Sequence, residues 1–125
     1  MNRIFFLVGI GGFIGSVSRY YISQFFAKHF STTLPLGTLT VNITGCLLIG
    51  IIYGLSERNN ILSPEWRVFL ATGLIGGFTT FSAFSYESIN LIRGGEFFIL
   101  SLYVAASVII GFGATYLGMS LIKSV

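Results

Sequence analysis

Four long apolar runs divide the chain, and most of its polar residues gather in the gaps between them. The runs cover about residues 4–26, 37–55, 66–92 and 97–122, each near the roughly 20 residues a helix needs to cross a hydrocarbon core. This pattern predicts an all-α integral membrane protein with four transmembrane helices in one domain, residues 1–125. The third run breaks the pattern at its centre. Gly73-Leu-Ile-Gly76-Gly77-Phe78-Thr79-Thr80-Phe81-Ser82-Ala83-Phe84-Ser85 places three glycines and four hydroxyl residues where a spanning helix normally carries leucine or valine. Glycine frees the backbone and hydroxyls compete for its hydrogen bonds, so this is a poor helix interior. Lipid cannot satisfy a freed N–H or C=O, and irregular backbone at this depth needs protein, water or an ion as partner. The third helix is therefore expected to be broken at mid-membrane, with the break as the functional centre. The half ending near Gly76 would present carbonyls, which suit a cation. The half starting near Thr79 or Thr80 would present N–H groups and hydroxyls, which suit an anion.

The other runs add candidate polar groups. In the first, Gly11 with Gly15 and Gly12 with Ser16 form small-xxx-small pairs, the mark of closely packed helices. Arg19 follows in the same run, where a charge must snorkel to the interface or serve as the cation at the mouth of an anion pathway. In the second run Thr38, Asn42 and Gly45 share one face by their i, i+4, i+7 spacing. A lone amide at Asn42's depth needs a partner, either as interhelical glue or as a permeating ligand. Ser63-Pro64 reads as an N-cap followed by proline at the first helical position. Trp66 then falls at interface depth, and Glu87 lies at an interface or in a vestibule. In the fourth run Tyr103, Ser107, Gly111 and Thr115 recur every four residues, a stripe that fits either an anion track or self-bonded hydroxyls. Phe81 and Phe84, three apart, share a face of the second half-helix, either packing there or lining a pathway.

Composition narrows the classes. Only 9% of residues are charged and 54% are apolar, against about 25% charged in soluble domains. Seven Lys/Arg against four Asp/Glu give a formal charge of +3, but the basic residues are scattered near run ends with no cluster for nucleic acid. The start Met1-Asn2-Arg3 resembles a signal peptide's opening, yet the run is too long and lacks a small-residue cleavage site, so it is expected to stay. Cys46 is the only cysteine, and His29 the only histidine, placed with Lys28 and Pro35 in a loop. No catalytic constellation, zinc spacing or phosphate loop is present, so an enzyme is not expected. Arg3, Arg58, Arg67 and Lys123 fall on one side, and Arg19, Lys28 and Arg93 on the other, four against three. So small an asymmetry predicts insertion in both orientations and pairing as an antiparallel dimer.

Three stretches resemble the Fluc/CrcB family of fluoride channels. They are Gly11-Gly12-Phe-Ile-Gly15-Ser-Val-Ser-Arg19-Tyr20, Gly37-Thr38-Leu-Thr-Val41-Asn42-Ile-Thr-Gly45, and the Gly73–Ser85 string, in the family's order and spacing. The resemblance implies a passive fluoride channel of the inner (plasma) membrane, exporting cytoplasmic fluoride through two pores of an antiparallel, dual-topology homodimer. It implies a fluoride pore of Asn42, Phe81, Phe84, Ser82, Tyr103 and Ser107, with Arg19 near a vestibule. It also implies a structural Na+ between the two copies, held by the backbone carbonyls of Gly76 and Thr79. Two positions depart from the family: Ala83 replaces a frequent threonine, and Gly111 interrupts the polar track, with Thr115 the substitute. Two other readings remain. One is a small four-helix multidrug/proton antiporter, which would want a carboxylate in the first helix where this chain has none. The other is a structural membrane subunit, which would explain the glycines but not Asn42 beside a hydroxyl-rich break.

Overall fold

The computed structural model describes residues 2–58 and 61–124, so the Asn59–Asn60 part of the polar loop lies outside the described residues, as do Met1 and Val125. Helix α1 is Asn2–His29 and α2 is Leu36–Glu57. The third span, Pro64–Arg93, consists of α3 (64–78) and α4 (Phe81–Arg93), and α5 is Phe97–Lys123. All four spans are long and apolar enough to cross a membrane. The protein is an all-helical, multi-pass membrane protein with its third span broken.

The spans pair in parallel, α1 with α3 and α2 with α5, because glycines line both seams. A methyl group added at Gly11 would lie 2.7 Å from Phe69 O and 2.8 Å from Leu74 N, both backbone atoms. At Gly15 it would lie 2.7 Å from Phe78 N, and at Gly77 2.6 Å from Gly12 O. The α2–α5 seam works alike, with Gly50 against the Thr115 carbonyl and Gly118 against the Leu47 carbonyl. These seams permit van der Waals contact between backbones, which drives association where no hydrophobic effect operates between helices. At the end where α1 and α3 begin, Arg3 Nη2 meets Glu65 Oε1 at 2.8 Å. Arg58 Nη1 donates to Ile122 O, joining the C-terminal ends of α2 and α5.

Sequence reading misplaced two features. Lys28 and His29 are not in a loop: they form the last turn of α1, where positive charge is favourable against the free carbonyls. His29 stacks on Phe25 with ring centroids 4.3 Å apart, and its Nδ1 lies 2.9 Å from Phe25 O. The helix break also lies later than the Gly76-Gly77 pair. Residues Gly76–Phe78 are still helical, because Gly77 serves close approach to α1 instead of chain flexibility. The N-cap of α3 forms as expected, with Ser63 Oγ accepting from Trp66 N at 3.3 Å ahead of Pro64. Wider π-helical turns occur at Val68–Ile75 and Ala106–Ile110, both near the break region.

Candidate functional site

The break is the extended pair Thr79 (φ −90°, ψ 159°) and Thr80 (φ −152°, ψ 121°). Thr79 closes α3: its N–H and its Oγ1 both donate to Ile75 O, at 2.9 and 3.0 Å. Thr80 opens α4 as its N-cap, with Oγ1 accepting from Ala83 N at 3.2 Å. In a continuous helix Thr80 N would serve Gly76 O. Here it donates to Asn42 Oδ1 at 2.8 Å, while Asn42 Nδ2 donates to Thr80 O at 3.0 Å. One side-chain amide thus satisfies both backbone groups of the residue at the break, as a neighbouring strand would.

The whole polar face of α2 addresses this region. Gly45 lies against the Thr79 methyl group, closely enough to exclude any side chain there. About one turn before Asn42 on α2, Thr38 Oγ1 donates to Glu87 Oε2 at 2.9 Å. Tyr103 OH donates to the other oxygen, Glu87 Oε1, also at 2.9 Å. The tyrosine is fully buried and its ring lies 5.0 Å from that of Phe84, which lies 5.7 Å from Phe81. From α1, Arg19 Nε donates to Gly77 O at 3.1 Å, with Ser16 Oγ at 3.5 Å from the same carbonyl. The break lets the third span change partners: α3 follows α1, whereas α4 runs against Thr38 of α2 and Tyr103 of α5.

A cleft opens beside the break, lined in part by Asn42, Thr79, Thr80, Phe81, Phe84 and Ser107. The Ser107 hydroxyl is buried without a hydrogen-bond partner among the described residues, a costly state that a ligand or water would relieve. Phe81 is 79% exposed at mid-span, so one wall of the cleft is open to the outside of the chain.

Residues 6–119 match the family described as CrcB-like protein, Camphor Resistance (CrcB). The chain belongs to that family. A relative from Flavobacterium psychrophilum, named fluoride-specific ion channel FluC, is 45% identical over 98% of both chains. One of the same name from Leptospira interrogans is 39% identical over 98% of this chain and 97% of its own. Another from Chlorobium luteolum is 48% identical over 90% of this chain and 87% of its own.

In this CrcB chain the residues singled out from sequence do not all meet at the cleft. Asn42, Phe81, Phe84 and Ser107 meet at the cleft, together with Gly76 and Thr79. Ser82 is exposed beside them, its Oγ 3.2 Å from Thr80 Oγ1. The stripe on α5 does not keep one direction. Tyr103 turns to α4, Ser107 to the cleft, and Gly111 to Cys46, whose Sγ would lie 3.5 Å from an added methyl. Thr115 donates to Cys46 O at 3.0 Å and so spends its hydroxyl on α2. The wide turn at Ala106–Ile110 accounts for the change, since an i→i+5 turn shifts the phase of a four-residue repeat. Two features were not found from sequence. The grip of Arg19 on Gly77 O has no spacing signal, because it joins residues 58 apart. The pairing of Glu87 with Thr38 and Tyr103 is equally remote, though three polar residues in apolar runs were a reason to expect them together.

Proposed function

We propose that this chain forms a passive, fluoride-selective channel of the inner membrane that lets cytoplasmic fluoride leave down its electrochemical gradient. The observation that carries the reading is the cleft at the break, where uncharged donors and aromatic rings converge without a fixed charge at its centre. Fluoride is small and strongly hydrated, so a selective pore must replace its water by several donors in a narrow space. The unpartnered Ser107 hydroxyl is one such donor. The second amide hydrogen of Asn42 is another, since one is spent on Thr80 O. Phe81 and Phe84 would offer the positive edges of their rings. Ser82, exposed beside the cleft, would extend the polar lining, whereas the hydroxyls of Tyr103 and Thr115 are taken by Glu87 and by Cys46 O. Arg19, whose Nη groups have no partner among the described residues, would keep positive charge near the vestibule. The relatives' names support fluoride as the ion.

The open wall at Phe81 supports a pathway completed by a second copy. In the proposed antiparallel, dual-topology homodimer each copy would close the other's cleft, giving two pores. A structural Na+ between the copies fits the residues present. Gly76 is exposed, and a methyl added there would meet nothing nearer than Ala71 O at 3.6 Å, so packing within the chain does not require glycine. Its bare backbone, with Thr79 at the helix end, would offer the hard oxygen atoms that Na+ takes from broken helices. When bound, the ion would neutralise carbonyls freed by the break and raise the potential for anions nearby.

Efflux from liposomes containing the purified protein tests the proposal, read by a fluoride electrode with chloride as control. Fluoride loss far faster than chloride loss, reduced by Phe81→Ile in still-dimeric protein, is the expected result. Folded dimers that pass no fluoride would overturn it.

A further inference from the structure

The extended pair Thr79–Thr80 is held from two sides. Asn42 on α2 takes both backbone groups of Thr80, and α1 takes the carbonyl of Gly77 through Arg19 Nε and, more weakly, Ser16 Oγ. The natural partner of Gly77 O would be Phe81 N, but the extended residues carry Phe81 into a new helix. A carbonyl at a helix C-terminus carries partial negative charge, and a guanidinium is a rigid, directional partner for it. We propose that Arg19 is a positioning residue for the break. By fixing Gly77 O while Asn42 grips Thr80, it sets the course of the backbone between them and hence the direction of the Thr79 carbonyl. Its role then depends on where Nε lies, beyond the charge it brings. The inference rests on the reading of the break as the ion-handling site, but its structural content can be measured without any flux.

Lysine separates placement from charge. It keeps the cation, but the atom in the position of Nε is a methylene carbon, and the ammonium lies one atom further out. Hydrogen exchange is followed on the full-length protein in lipid nanodiscs. The amides of Thr79, Thr80 and Ala83, which are bonded to Ile75 O, Asn42 Oδ1 and Thr80 Oγ1, are expected in Arg19→Lys to exchange at least about tenfold faster than in the unsubstituted protein, the scale of one lost charge-assisted hydrogen bond. Amides on the α2–α5 seam should not change. Ser16→Ala should move the same amides in the same direction by less. Exchange in Arg19→Lys equal to that of the unsubstituted protein overturns the proposal. Should Arg19→Lys fail to fold, the unsubstituted protein still decides: a slowly exchanging Arg19 Nε–H, seen by nitrogen-15 NMR, supports the grip, and a freely exchanging one overturns it. Fluoride efflux of the same unsubstituted sample keeps the two claims apart. Protected amides without efflux sink the channel reading alone, and efflux with an unprotected break sinks the positioning role alone.

Discussion

Replacing Asn42 by alanine removes both hydrogen bonds that hold Thr80, of 3.0 and 2.8 Å. Leaving one buried polar group unsatisfied costs about 1–3 kcal/mol, which would total about 2–6 kcal/mol for the two. Interhelical hydrogen bonds in membranes average only about 0.6 kcal/mol, because the separated helices find other partners. Thr80 has fewer alternatives than a residue within a regular helix, since its extended backbone has left the i→i+4 ladder. A local cost of about 2–3 kcal/mol follows from weighing these terms, or about 30- to 150-fold in the opening equilibrium of the break. Hydrogen exchange at the Thr80 amide reads this directly. Asn42→Asp supplies the internal control, because it keeps an acceptor for Thr80 N while turning an oxygen towards Thr80 O. It should protect the Thr80 amide better than Asn42→Ala does, if both fold. Thr80 exchange in Asn42→Ala within twofold of the unsubstituted protein would refute the reasoning, and Asn42 would not be what closes the backbone at the break.

Two further outcomes are expected. Gly15→Val would drive a branched side chain into the Leu74 carbonyl and Phe78 N, an overpacking typically worth about 1–3 kcal/mol and more when backbone must move. Its melting temperature should fall and its α1–α3 cross-linking weaken, whereas Gly113→Ala, where nothing lies within 4 Å, should leave the monomer's fold unchanged. Tyr103→Phe removes the donor to Glu87 Oε1 while keeping the ring against Phe84. It should cost about 1–3 kcal/mol in a denaturant titration. Thr38→Val should cost a similar amount, and the double variant less than the sum, since both hydroxyls serve one carboxylate.

Much of this architecture is legible in the chain because membrane helices obey a harsh rule: freed backbone needs a partner. The rule located a break within Gly73–Ser85, the i, i+4, i+7 spacing put Thr38, Asn42 and Gly45 on one face, and each of those three residues touches the broken span. What the rule could not supply was the use of each glycine. Gly77 looked like a point of flexibility and is a point of contact, so the helix runs on to Phe78. Periodicity failed on α5 for a related reason, because the wide turn at Ala106–Ile110 leaves no trace in a hydroxyl repeat and sends Thr115 to α2. Arg19, Glu87 and their partners depend on how spans are placed side by side, and local spacing carries no record of that.

The central claim is selective, passive conduction of fluoride, and a reversal potential measures both properties at once. The purified protein would be fused into a planar bilayer with a tenfold fluoride gradient and equal chloride on both sides, at one pH. A passive fluoride channel predicts current reversing near the fluoride equilibrium potential, about 59 mV at 25 °C for a monovalent ion. Reversal near zero, or a reversal that shifts when a pH difference is then imposed across the bilayer, would contradict the account.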